Sequence, residues 1–183
     1  NLLKKINNSV LWLLPQNEVA TKNLQKEASL RKVDPKRIIF AEYLKISDHL
    51  SMQKNADLFI DTFPYGAHTV GSDALWAGLP VLTLMGESFA SRVAASLLKA
   101  IGLPELITYT KKEYENKALE LANNKEMLNE IKTKLNKNRN IKPLFDTQLY
   151  KNNLETAYLK IYEKYMNGKN PSNIEIKKNN PHN

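Results

Sequence analysis

The chain contains no cysteine, which excludes disulfides and thiolate metal ligands and fits a reducing, cytoplasmic setting. Histidine is scarce: His49, His68 and His182 are all there is. His68 and Asp73 do not stand at a metal-ligand spacing, so no metal is expected. No apolar stretch approaches the roughly 20 residues that span a bilayer, and no membrane contact is expected. GxGxxG, GxxxxGK[ST] and a serine nucleophile elbow are absent as well. The opening NLLKKINNSVLWLL pairs basic residues with an apolar run, as a signal peptide does. It lacks a small-residue cleavage site, and Pro15 and Gln16 end the run as a turn would end a strand. It reads as a truncated helix leading into a buried strand.

Acidic residues are outnumbered, 19 against 27 Lys and Arg, giving a net charge of +8. Such a balance fits either attraction to nucleic acid or a membrane, or a Lys- and Asn-rich coding bias on solvated faces. The lysines between Lys111 and Glu130 alternate with glutamates, and no RNA-recognition or helix-turn-helix signature accompanies them. The solvated-face reading is preferred, and nucleic acid is not an expected partner.

Short apolar runs at Val10–Leu14, Arg37–Phe40, Leu58–Asp61 and Pro80–Leu84 predict buried strands. Leu106–Thr108 is a shorter fifth. Between them, Glu18–Val33 has helical spacing with Val19, Leu24, Ala28 and Leu30 on one side. Ser47 and Asp48 are N-cap types that would open a helix through His49 and Leu50. Ser88–Ile101 repeats Phe89, Val93, Leu97 and Ile101 at a spacing of four, and Gly102 and Pro104 stop it. Strands alternating with helices predict an α/β fold with a parallel sheet and right-handed crossovers. Helices over Lys111–Ala122 and Lys125–Lys137, and a long one capped by Asp146 and reaching Tyr165, form a helical C-terminal extension. Residues 1–167 make one domain. From Gly168 to Asn183 the chain is rich in Asn and Lys without periodicity and reads as a disordered tail.

The chemistry concentrates in ADLFIDTFPYGAHTVGSDALWAGLPVLTL (Ala56–Leu84). A strand ends at Asp61, a turn-rich loop follows, and a helix opens at Thr69. Ligands of open α/β sheets bind outside the carboxyl ends of the strands. A helix N-terminus there offers free N–H groups to a phosphate. His68 is placed to donate to a diphosphate or leaving-group oxygen, or to cap and pack. Thr69 suits phosphate and serves equally as an N-cap. Asp73 suits the hydroxyls of a ribose, or pairs with the helix dipole. His49 follows the second strand and can reach a base or ribose, or be structural. Asp61 can instead bind loop backbone, and Arg92 can pair with or cap nearby carbonyls.

These segments, with NSVLWLL (Asn8–Leu14), DPKRIIF (Asp34–Phe40), GESFASRVAASLL (Gly86–Leu98), YENKALELA (Tyr114–Ala122) and PLFDT (Pro143–Thr147), resemble the C-terminal catalytic region of protein O-GlcNAc transferases. The likeness runs from about Asn1 to Tyr165. It implies the UDP-binding, Rossmann-like C-terminal lobe of a GT-B glycosyltransferase. It further implies metal-free, inverting transfer of N-acetylglucosamine, or another hexose, from a UDP-sugar to Ser or Thr of an acceptor protein or peptide. Carried over by motif, His68 and Thr69 face the diphosphate with Val70 and Gly71 beside them. Asp73 faces the ribose and His49 the uridine, and backbone near Leu44 reads the base edge.

Two departures stand out. Val70 replaces a threonine common in the family, which removes a hydroxyl and keeps an N–H. One hydrogen bond to a charged group is worth about 1.5–3 kcal/mol, so UDP binding is expected to be weaker rather than lost. The family's catalytic lysine lies upstream, and Lys4 and Lys5 do not align with it. The resemblance therefore implies an N-terminal catalytic lobe, and tetratricopeptide repeats, in a longer polypeptide, with this part inactive alone. A non-catalytic UDP-sugar-binding or protein-interaction module is the competing reading.

Overall fold

Strands and helices alternate from Leu11 to Thr108, and every strand pairing is parallel. The computed structural model describes residues 1–15 and 17–176. The order is α1 (Leu2–Lys5), β1 (Leu11–Leu13), α2 (Glu18–Leu30), β2 (Ile38–Phe40), α3 (Ile46–Gln53), β3 (Phe59–Ile60), α4 (Thr69–Ala77), β4 (Val81–Leu84), α5 (Val93–Ile101), β5 (Ile107–Thr108), α6 (Lys111–Asn123), α7 (Lys125–Asn138) and α8 (Thr147–Met166). Hydrogen bonds divide the strands into a pair, β1–β2, and a triplet, β3–β4–β5.

The central strand is β4, with Val81, Leu82 and Thr83 all but inaccessible. It lies between β3 and β5 and touches α4, α5 and α6. A strand covered on both faces reads as a continuous apolar run, which is why VLTL carries no alternation. The main core joins Leu75 of α4, Leu98 and Ile101 of α5, Leu121 of α6, and Ile131 and Leu135 of α7. Helices α4 and α5 end on Gly78 and Gly102, whose positive φ of 89° and 77° is the left-handed cap that glycine adopts without strain. Asp146 caps α8, its Oδ1 accepting from Leu149 N at 2.8 Å.

Four local expectations are corrected. First, α2 buries only Ala28, while Val19, Leu24 and Leu30 are exposed. A two-stranded sheet gives this helix little surface to cover. Second, Val10 and Leu14 are exposed for the same reason, so β1 is not a buried central strand. Third, α3 starts at Ile46 with Lys45 in the N-cap position and no side-chain cap, which puts Ser47 and Asp48 inside the first turn.

Fourth, the helix expected over Ser88–Ile101 breaks into a 3-10 turn, Phe89–Ser91, and α5. The cause is tertiary. The Ala90 carbonyl accepts from Gly66 N at 3.1 Å, so it is engaged outside the helical ladder, and Phe89 turns out to solvent. Past α8, Lys169–Ile176 form neither helix nor strand, and Lys160 Nζ reaches back to the Glu175 carbonyl at 3.1 Å. Residues 177–183 of the expected tail lie outside the described residues.

Candidate functional site at the amino end of α4

Among the loops that leave carboxyl ends of parallel strands are 41–45 after β2, 61–68 after β3, and 85–88 after β4. The second carries most of the expected site. Its closing residue, His68, is the N-cap of α4. The His68 carbonyl accepts from Gly71 N and Ser72 N, both at 3.1 Å. The N–H groups of Thr69 and Val70 have no partner among the described residues. Two backbone donors therefore point out of the helix start, as the first turn of any α-helix requires. Thr69 and Val70 are exposed, so the donors open onto solvent next to a hydroxyl. Gly71 is buried: a Cβ there would meet Ala67 Cβ at 3.2 Å and Leu97 Cδ1 at 3.6 Å. Its lack of a side chain lets the helix start sit tight against the loop and α5. One turn on, the half-buried Asp73 carboxylate has neither hydrogen bond nor ion pair among the described residues.

His68 is held on three sides. Its Nε2 lies 3.3 Å from the Ala90 carbonyl. A carbonyl only accepts, so Nε2 carries the proton. Tyr65 stacks on the ring at 5.0 Å and 17°, and Phe89 meets it edge-on at 5.8 Å. With Nε2–H engaged, Nδ1 is the nitrogen left for a ligand, and it donates only when the ring is doubly protonated.

His49 lies on α3, which packs against α4. Its Nε2 is 3.0 Å from Nε2 of the buried Gln53, one helical turn on. Leu44 is exposed, and its backbone N–H and C=O have no partner among the described residues. The structure thus brings His68, Thr69, Val70, Gly71 and Asp73 onto one helix start, with Leu44 and His49 on the loop and helix beside it.

Asp61 binds loop backbone: it is buried and takes Ala67 N at 2.7 Å. Arg92 sits exposed at the N-cap of α5, and its guanidinium makes no hydrogen bond among the described residues. Sequence reasoning missed Tyr65, Phe89, the Ala90 carbonyl and Gln53. The aromatic letters around His68 and the four-residue step from His49 to Gln53 were available signals. Nothing in the sequence marked Ala90.

Among the described residues, no group of three or more His, Cys, Asp or Glu side chains is arranged to hold a metal ion. Likewise, no described helix is long and apolar enough to cross a membrane. Within the basic stretch, Lys117, Lys132 and Lys134 pair with Glu120, Asp57 and Glu105, which offsets part of its charge.

Parallel strands, intervening helices and loops at the carboxyl edge define a Rossmann-like α/β lobe. The model of glycosyl transferase family 41 matches residues 1–154, and the chain belongs to that family. It is 38% identical over 180 residues to a probable UDP-N-acetylglucosamine–peptide N-acetylglucosaminyltransferase, SEC, of Arabidopsis thaliana, covering 98% of this chain and 18% of that protein. A UDP-N-acetylglucosamine–peptide N-acetylglucosaminyltransferase of Caenorhabditis elegans is 33% identical over 181 residues, covering 99% of this chain and 16% of that protein. The solved structure of a mutant Thermobaculum terrenum O-GlcNAc transferase superposes with a TM-score of 0.82 at 29% identity, over 88% of this chain and 32% of that one. The chain thus spans less than a fifth of the length of these two curated relatives.

Proposed function

We propose that this chain is the UDP-binding half of a glycosyltransferase that moves N-acetylglucosamine, or another hexose, from a UDP-sugar to Ser or Thr of acceptor proteins. The observation that carries the reading is the start of α4. Two N–H groups without a partner among the described residues and the Thr69 hydroxyl lie beside His68, and the Asp73 carboxylate, likewise unpaired among them, follows one turn later. A leaving diphosphate gathers negative charge, and fixed donors at a helix N-terminus stabilise that charge as it forms. On this reading transfer needs no metal. Asp73 accepts from ribose hydroxyls, His49 faces the uridine, and the free backbone of Leu44 reads the base edge. The names of the relatives support the donor and the protein acceptor.

The remaining machinery belongs to other parts of a longer polypeptide: a lobe carrying the catalytic lysine, and tetratricopeptide repeats, in a cytoplasmic enzyme. Helix α8 buries no residue, and Leu149, Leu159, Ile161, Tyr162 and Tyr165 are exposed along it. It offers the surface on which that lobe packs.

Calorimetry with UDP tests the reading, comparing the chain with its Asp73→Ala variant, with and without a chelator. Saturable binding that ignores chelator and is lost in the variant is the expected result. Binding unaffected by Asp73→Ala, or abolished by chelator, overturns it.

A further inference from the structure

Among the described residues, the buried carboxylate of Asp61 has no salt-bridge partner. It is 2% exposed, and its two oxygens take neutral donors: Oδ1 accepts Ala67 N–H at 2.7 Å and Oδ2 accepts Thr83 Oγ–H at 2.7 Å. A buried charge is costly unless it is hydrogen-bonded, so the arrangement asks for a reason beyond packing. An asparagine offers one acceptor oxygen in place of two. An asparagine could keep the Ala67 bond, but its amide would have to donate to the Thr83 oxygen instead of accepting the hydroxyl proton.

The two donors come from different places. Thr83 is in β4, the most buried strand, and its carbonyl accepts Thr108 Oγ–H of β5 at 2.8 Å. Asp61 N is tied to the Leu82 carbonyl at 3.0 Å, and the Asp61 carbonyl accepts Tyr114 Oη–H of α6 at 2.6 Å. Ala67, by contrast, is in the loop directly before α4. From the other side, the Ala90 carbonyl takes Gly66 N–H at 3.1 Å and His68 Nε2–H at 3.3 Å. Gly66 passes so close that a Cβ would stand 3.0 Å from Asp61 Oδ2 and 3.3 Å from the Ala90 oxygen. Three consecutive residues, 66, 67 and 68, are thus fixed from two sides immediately before the free amides of Thr69 and Val70.

We propose that Asp61 is a positioning residue for the diphosphate subsite: it transmits the rigidity of β4 through Ala67 N–H to the first turn of α4. It touches no ligand itself. Fixed donors stabilise developing charge without reorganising when the charge appears, and the clamp supplies that fixity. The inference rests on reading the α4 start as the place where a nucleoside diphosphate binds.

The test separates phosphate from nucleoside. UDP and uridine affinities are measured by calorimetry for the chain and for Thr83→Val, Asp61→Asn and Asp61→Ala. Thermal unfolding and amide exchange at Ala67 are followed alongside. Thr83→Val is expected to lower UDP affinity about tenfold, leave uridine affinity unchanged and speed Ala67 exchange, with the β4 amides still protected. Asp61→Asn keeps the Ala67 bond and is expected to fall between the chain and Thr83→Val. Asp61→Ala is expected to show the largest loss; if it fails to fold, the first two variants decide. Equal losses for UDP and uridine in Thr83→Val, or unchanged UDP affinity with faster Ala67 exchange, overturn the clamp. If the unmodified chain binds UDP no more tightly than uridine, the subsite reading itself fails, and the clamp's role falls with it.

Discussion

The Tyr114 hydroxyl donates to the Asp61 carbonyl at 2.6 Å, joining α6 to the end of β3 across 53 residues of sequence. Burial first, and the Asp61 charge second, hold this phenol above the ordinary tyrosine value. The folded state therefore grips the proton more tightly than the unfolded chain does. Its contribution to stability is complete below about pH 10 and is lost as pH rises from there toward the folded value. Tyr114→Phe removes the hydroxyl and leaves a buried acceptor unpaired, at a cost of about 1–3 kcal/mol at neutral pH. Denaturant melts from pH 8 to 11 should show the gap between the two proteins narrowing above pH 10. A constant gap would mean the phenol does not titrate with unfolding.

Val70 supplies an N–H without a partner among the described residues at the α4 start, and an exposed, apolar side chain. Val70→Thr restores a hydroxyl at nearly constant volume. A hydrogen bond to a charged group is worth about 1.5–3 kcal/mol, so UDP should bind roughly ten- to a hundredfold more tightly. Calorimetry reads this directly, and an unchanged affinity would show that residue 70 faces away from the phosphates.

Gly86 lies where a Cβ would meet Ser91 Oγ at 2.6 Å and Ser91 Cβ at 3.0 Å. Ser91 is held by the Ser88 carbonyl and hydroxyl, so it yields with difficulty. Gly86→Ala is expected to cost about 1–3 kcal/mol through overpacking. Thermal melts check it; an unchanged midpoint would show that Ser91 gives way to the added methyl.

Leu98 is completely buried in α5, whereas Val19 is 68% exposed on α2. Leu98→Ala should destabilise by about 2–5 kcal/mol. Val19→Ala should fall within about 0.5 kcal/mol of the parent. A large loss from Val19→Ala in the isolated chain would mean that α2 packs where the structure leaves it open.

That contrast shows where the sequence was readable. Periodicity reports which face of a helix is apolar, and at α5 it was right in part, with Ile101 buried and Val93 and Leu97 half-buried where β4 and α4 cover that face. It misled at α2, because a two-stranded sheet has too little area to bury Val19, Leu24 and Leu30. Strand positions and the glycine stops were legible because their signals are local. The break at Phe89–Ser91 was not, since it depends on a donor 24 positions earlier in the chain, Gly66 N–H, reaching the Ala90 carbonyl. The same holds within the site. Thr69, Asp73 and His68 announce themselves by residue type at a helix start. Tyr114 reaches Asp61 only through the packing of α6 on β4, and no spacing rule encodes that.

The doubly occupied Ala90 carbonyl also sets a length rule. One oxygen fixes both the backbone at 66 and the ring at 68, so the segment after β4 works as a ruler. Adding or deleting one residue between Leu84 and Ala90 would carry that oxygen away from both donors at once. Variation in the size of this protein has room in the exposed stretch after α7, around Asn140–Lys142; the six residues that follow β4 have none.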